Sequence, residues 1–337
     1  MQPRLLLSYL LSLALLVAIV AFIDVKQVLE SVLAFGLLPS LTFMAVYGFS
    51  FFFRAVKWKY ILKPFADVSL SDSYHFMMLG FFSNNLLPAR IGEIIRAYAL
   101  SKKYPIGKVK AFSTVVVDRV TDGTTLIGLF LVVFALAEKI PAGFQQLVVL
   151  PTVVFALLLA VFLFPNKVKR LLKPLVDRLP VLRAKADFLI AESVMGGRAL
   201  RGNQRFKAAI WLSSMATWAI HVGVGYYAAQ EMRLPLSLFD VGLLTALTGF
   251  AAMIPAAPGY IGTFEAAVAA FFVAYGLDVN QGIAYAVVIH VLQLLAIMVL
   301  GYQSMHHLGL KVGQVLAPEN GLAAKDGNKL KGKARLK

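Results

Sequence analysis

Three stretches of this sequence carry polar residues at spacings that could do chemistry. In SNNLLPARIGEIIRAYAL (83–100), Arg90, Glu93 and Arg96 fall three apart, the interval that puts side chains on one helix face. Pro88 stands just ahead of that helix and frees backbone groups at its tip, close to Asn84 and Asn85. A helix N-terminus supplied with arginine is an anion site, and Arg90, Arg96 or Arg119 could contact a phosphate there. In STVVVDRVTDG (113–123), Asp118 and Asp122 are four apart, with Arg119 about 100° round the helix. In IPAAPGYIGTFE (254–265), Pro255, Pro258, Gly259 and Gly262 precede Glu265, which has no arginine nearby. Glu265 and His290 could form a proton-relay or coupling pair, histidine being titratable near neutrality. The bland alternatives are a solvated basic helix for 90–100, an internal Asp–Arg–Asp clamp, and a satisfied core histidine at 290; His221 reads as plain core.

The elements that must position these groups are membrane spans. Of 337 residues, 59% are hydrophobic and 15% charged, and mean hydropathy is +0.76. Several runs reach the ~20 apolar residues that a hydrocarbon core requires, and none shows the alternation of a β-barrel. The fold class is therefore an all-α polytopic membrane protein. Six full spans are expected at 5–23, 33–53, 111–136, 146–164, 208–229 and 281–302. The first is long for a signal peptide and lacks a clear cleavage site, so it is read as retained. The second ends at Arg54, Lys57 and Lys59. Two further stretches, 74–100 and 239–276, are apolar but interrupted at polar, proline-containing tips. Each is either a re-entrant hairpin or a pair of full crossings, which other schemes would count as about eight segments. The limb His75–Leu87 spans only ~20 Å as helix, short of the ~30 Å core, which favours re-entry.

Charge sets the orientation. With the N-terminus inside, 29 of the 33 Lys and Arg residues fall on the inner side, so both termini are expected in the cytoplasm. That bias accounts for the +16 formal charge, and no recognition motif accompanies it to suggest nucleic acid. The 165–207 segment, with eleven basic and three acidic residues, reads as an ordinary basic loop or an amphipathic region on the anionic inner leaflet. A single membrane domain is expected over 1–310, followed by a disordered basic tail at 311–337.

A shift of 172 residues aligns the two halves, about 33–136 and 205–305. LLPARIGE (86–93) answers MIPAAPGYIGTFE (253–265), with Glu93 on Glu265, and STVVVD (113–118) answers YAVVIH (285–290), with Asp118 on His290. By the charge count the units enter from opposite faces, an inverted repeat. Paired proline- and glycine-interrupted segments in such a repeat point to a transport site near the midplane.

Catalytic readings find little support. The chain has no cysteine, its five histidines show no ligand-spaced cluster, and there is no GxSxG, Walker loop or HExxH. The run DRVTDG (118–123) resembles the acidic metal motif of membrane phosphotransferases acting on CDP-alcohols. Its aspartates are four rather than three apart and the rest of the motif is missing. No metal, cofactor or enzymatic activity is expected.

In combination, NNLLPARIGEIIRAYAL, VVVDRVTDG and IPAAPGYIGTFEAAVAAFFVAYG resemble the flippase-like family, the transmembrane region of lysylphosphatidylglycerol synthases and its stand-alone relatives. The resemblance covers about residues 5–305. It implies translocation of a lipid across the cytoplasmic (inner) membrane, aminoacylated phosphatidylglycerol being the best-known substrate. The matching positions are Asn85, Pro88, Arg90, Gly92, Glu93, Asp118, Arg119, Pro258, Gly259, Gly262 and Glu265. Two features depart from the pattern: a short basic tail replaces the synthases' aminoacyl-transfer domain, and His290 stands where relatives often carry arginine. The expected partner is therefore a membrane lipid, either an anionic or aminoacylated phospholipid or a polyprenyl-linked lipid. Arg90, Arg96 and Arg119 would hold its headgroup, while Glu93, Asp118 and Asp122 balance charge or engage an amine. The alternative is a non-transporting membrane partner of a glycolipid or cell-envelope synthesis enzyme.

Overall fold

The computed structural model describes residues 14, 17, 19–21, 23–88, 90–136, 144–168, 170–171, 197–253 and 257–311. Most of the expected span 5–23, the bulk of the basic loop and the tail beyond 311 lie outside these residues. All regular structure among them is helical. Four helices are long and apolar enough to cross a membrane: α2 (Leu37–Leu62), α5 (Lys108–Leu136), α8 (Gln204–Glu231) and α11 (Val279–His307). At 26 to 29 residues they run ~39–44 Å, longer than a ~30 Å hydrocarbon core. Shorter elements fill in around them: α1 (Val25–Ala34), α3 (Leu70–Leu86), α4 (Ile91–Lys103), α6 (Phe144–Leu163), α7 (Arg198–Arg201), α9 (Leu238–Ala251) and α10 (Thr263–Ala274).

The expected second span begins later and ends later than its hydropathy suggests. Residues 25–34 form a separate helix capped by Asp24, whose side chain accepts from the Lys26 and Gln27 amides. Gly36, at φ 81°, breaks the chain before α2, a backbone state that favours glycine. At the other end α2 continues nine residues past Phe53 and carries Arg54, Lys57 and Lys59 within the helix. The expectation that these three basic residues lie beyond the span is thus corrected. Arg54 and Lys57 are buried, because carboxylates from α5 await them.

Helices α3 and α4 form a tight antiparallel hairpin. Ser69 caps α3 by accepting from the Asp72 amide. Leu87 is extended at φ −118°, ψ 140°, as expected of a residue ahead of proline, and ends the helix. The limbs approach so closely that a Cβ on Gly92 would stand 2.0 Å from the Gly80 carbonyl oxygen. At the open end, Asp72 accepts from Lys103 Nζ at 2.7 Å and from the Tyr104 hydroxyl at 2.5 Å, clamping the limbs together. A second helical pair, α9 and α10, also packs together, with a 3₁₀ turn at Pro258–Tyr260 just ahead of α10. Helix α9 opens with a capping box between Ser237 and Asp240.

Helices α2 and α8 pack along one another, and α11 packs on α3, α10, α1 and α2. One large buried core runs through the bundle, and Val28 of α1 with Ile283 and Ala284 of α11 forms a smaller second cluster. Leu37, Leu41, Phe49, Leu131, Leu157, Leu212, Val273 and Val299 point outward as an exposed apolar surface, which suits a hydrocarbon environment. Polar residues show the opposite arrangement, with seven charged side chains of α2, α4, α5 and α10 buried inside: Arg54, Lys57, Glu93, Arg96, Asp118, Asp122 and Glu265.

Candidate functional site

Arg96, Arg119, Arg54 and Lys57 interleave with Glu93, Asp118 and Asp122 in one buried network. Lys57 Nζ lies 2.8 Å from Asp118 Oδ1 and 2.5 Å from Asp122 Oδ1, bridging two carboxylates one turn apart on α5. Arg54 Nη1 donates to Asp122 Oδ2 at 2.9 Å. Arg96 Nη2 reaches Asp118 Oδ2 at 2.8 Å, and its Nε donates to Glu93 Oε2 at 3.0 Å. Arg119 pairs with Glu93 Oε1 and stands 3.8 Å from Asp122 Oδ2. Ser214 of α8 adds a hydroxyl donor to Asp122 Oδ1 at 3.2 Å. Buried ions survive only when paired and hydrogen-bonded in this way. Aromatic faces cover what remains: Arg96 lies over Trp58, and Arg54 lies over both Phe81 and Trp218.

The sequence explains the local geometry. Asn84 turns inward and accepts the Gly92 amide at 2.8 Å, satisfying a first-turn donor of α4 that has no intrahelical partner. Arg90 does not share the face of Glu93 and Arg96, as the three-residue spacing suggests. It precedes the helix as its N-cap in the left-handed region, φ 57°, and that backbone turn redirects its side chain. Its Nη2 donates to the Ala252 carbonyl at 2.5 Å, across to the second helical pair, and its guanidinium lies over the Tyr260 ring.

The α9–α10 side is simpler. Pro258 opens the 3₁₀ turn, and Gly259 and Gly262 take φ 67° and 91°, values that a side chain strains to adopt. Glu265 Oε2 accepts from the Gly262 amide at 2.7 Å. His290 Nδ1 lies 2.5 Å from Glu265 Oε1, and its Nε2 lies 2.7 Å from the Gly259 carbonyl. A carbonyl only accepts, so Nε2 carries a hydrogen, and the contact with Glu265 holds a proton shared between ring and carboxyl.

A cavity of about 130 Å³ opens between the two helical pairs. It is lined by Arg54, Arg90, Arg119, Asp122, His221 and His290 together with Tyr47, Phe81, Asn85, Trp218, Thr248, Tyr260 and Gln293. Such a volume admits several waters or a small headgroup. Around it, the buried Nε atoms of Arg54, Arg90 and Arg119 and the Trp218 indole nitrogen have no hydrogen-bond partner among the described residues. Arg96, expected to hold the headgroup, is not among the lining residues and pairs with Glu93 and Asp118. Asn84 is likewise a support for the hairpin turn. Pro88 is buried at that turn, and Pro255 lies outside the described residues. His221, expected as plain core, faces the cavity between Tyr47 and Trp218 and meets Ser50 Oγ at 3.1 Å. Arg54 and Lys57 are the members that sequence reasoning missed. Their three-residue spacing on one face at the end of an apolar run was the available signal. Among the described residues no cluster of three or more metal-ligand side chains occurs.

An all-helical chain with outward apolar helices and an internal ionised cluster is an integral membrane protein. Residues 5–301 match the family described as "Lysylphosphatidylglycerol synthase TM region", and the chain belongs to that family. It is 25% identical over 254 residues to a UPF0104 membrane protein of Pyrococcus horikoshii, covering 69% of this chain and 76% of that one. It is 38% identical over 96 residues to a UPF0104 membrane protein of Methanocaldococcus jannaschii, which spans only 28% of either chain. No solved structure matches it.

Proposed function

We propose that the protein is a lipid translocase of the cytoplasmic membrane, not an enzyme, and that the central cavity receives the lipid headgroup. One observation carries the reading: a cavity lined by Arg54, Arg90 and Arg119, enclosed by helices whose outer surface is apolar. Charged groups inside a membrane protein are costly and mark substrate pathways. Here they line a space between two helical pairs rather than closing on each other alone.

The proposed architecture is an inverted repeat in which both pairs are re-entrant and both termini are cytoplasmic. Support comes from element bounds. A shift of 172 carries α4, residues 91–103, onto 263–275, beside α10 at Thr263–Ala274. It carries α5, residues 108–136, onto 280–308, beside α11 at Val279–His307. Arg90 and Gly262, both N-caps with positive φ, stand three residues before Glu93 and Glu265 respectively. Opposed helical breaks around a central site are the arrangement of alternating-access transporters.

The test is reconstitution into liposomes carrying fluorescent lipids, with a membrane-impermeant quencher reporting transfer between leaflets. The wild type is expected to move lipid above the protein-free rate, and Arg90→Ala, which removes a cavity donor outside the ion network, to slow it at least tenfold. Wild-type vesicles no faster than empty ones would defeat the reading.

A further inference from the structure

The charges around the cavity do not sum to zero. Arg54, Lys57, Arg96 and Arg119 contribute four positive charges, and Glu93, Asp118 and Asp122 three negative ones. Arg90 adds a fifth cation and forms no ion pair among the described residues; its contacts are the Ala252 carbonyl and the Tyr260 ring. Glu265 and His290 cancel each other, whichever of them holds the shared proton. Among the described residues this leaves two positive charges in excess around the cavity, a costly state in a low-dielectric interior unless a counter-ion joins them. Arg54, Arg90, Arg119 and Trp218 line the cavity from α2, the hairpin turn, α5 and α8, so cationic and donor side chains meet it from several elements.

The carboxylates point the same way. Asp122 is the carboxylate among the cavity-lining residues. Its oxygens already meet Lys57, Arg54, Arg119 and Ser214. Among the described residues no unpaired carboxylate lines the cavity to receive the ammonium of an aminoacylated headgroup. Resting on the translocase reading for the site's purpose, we infer that the cavity takes a phosphate group bearing two negative charges, a phosphomonoester or diphosphate end, with Arg54, Arg90 and Arg119 as its ligands. A phosphodiester brings one charge and leaves the other uncompensated. A terminal phosphate also offers three oxygens to the converging donors, which suits the planar guanidinium.

The experiment uses the full chain in detergent micelles and native mass spectrometry. It is offered equal amounts of phosphatidic acid (a phosphomonoester), phosphatidylglycerol (a phosphodiester), lysyl-phosphatidylglycerol and phosphatidylcholine. Phosphatidic acid is expected to be retained about tenfold over phosphatidylglycerol, the factor that ~1.4 kcal/mol from one additional charge-assisted hydrogen bond corresponds to. The other two are expected to be retained least. Arg90→Gln should erase most of that preference. Trp218→Phe, which keeps the ring and removes the indole donor, should reduce it several-fold. Inorganic phosphate added to the same sample assigns the carrier: displacement of phosphatidic acid means that the site recognises the phosphate alone, and persistence means that it requires the lipid-borne group. Equal retention of phosphatidylglycerol or of the lysylated lipid overturns the inference, as does an unchanged preference in both variants. The two readings separate cleanly. Selective retention without leaflet transfer removes the translocase function and leaves the phosphate site, whereas transfer indifferent to headgroup charge does the reverse.

Discussion

Replacing Lys57 with methionine is the sharpest test of the ion network. The side chain is fully buried, and its ammonium contacts Asp122 at 2.5 Å and Asp118 at 2.8 Å, with a third bond at 3.2 Å to the Asp118 carbonyl. A hydrogen bond to a charged group contributes ~1.5–3 kcal/mol, and breaking a buried pair costs about 3–5 kcal/mol. Asp118 keeps Arg96 and Asp122 keeps Arg54, so the loss falls near the lower end, ~3 kcal/mol. Methionine fills similar space, so the change reports charge rather than a cavity. Equilibrium unfolding in a fixed detergent measures it, with Lys59→Met on the same helix as control; Lys59 makes no ion pair among the described residues and should shift stability by less than ~0.5 kcal/mol. Adding Asp122→Asn to Lys57→Met should cost less than the sum of the two single changes, because the pair is already broken. If Lys57→Met stays within ~1 kcal/mol of wild type, or if the double variant is additive, the lysine does not bridge these carboxylates and the charge argument collapses.

Two further outcomes follow from close contacts. Gly92→Ala should cost ~3 kcal/mol and slow lipid transfer, because the added methyl meets the Gly80 carbonyl at 2.0 Å and Asn84 Oδ1 at 2.5 Å. Gly107→Ala, with open space around it, should be silent in the same unfolding assay. His290→Leu leaves the Gly259 carbonyl and Glu265 Oε1 without their ring partner, a penalty of ~1–3 kcal/mol for each group. Adding Glu265→Leu should recover part of it, and an unchanged unfolding midpoint in His290→Leu would show that the pair bears no weight.

Much of the scaffold is legible in the chain because its causes are local. Apolar runs long enough to span announce α5, α8 and α11, and Pro88 forces Leu87 into an extended state that ends α3. Gly259 and Gly262 announce a break by backbone freedom alone. The ends of α2 escape this logic, since hydropathy places the boundary before Arg54 whereas the helix runs on to Leu62. Charged residues end a span only when they have no buried partner.

Residue types and their spacing suffice to show which segments are helical and apolar, where the hairpin turns, and that Arg90, Glu93, Asp118, Arg119, Glu265 and His290 are unusual. The tertiary structure alone decided their roles. Arg54 and Lys57 meet Asp122 and Asp118 from more than 60 residues away. Arg96 is absent from the cavity lining while Arg90 is turned into it by one left-handed residue, and His221 becomes lining rather than filling. Hydropathy and proline act within a few residues of themselves. Ion pairing instead depends on how each helix is rotated against its neighbours, and that rotation is set by packing of the whole bundle.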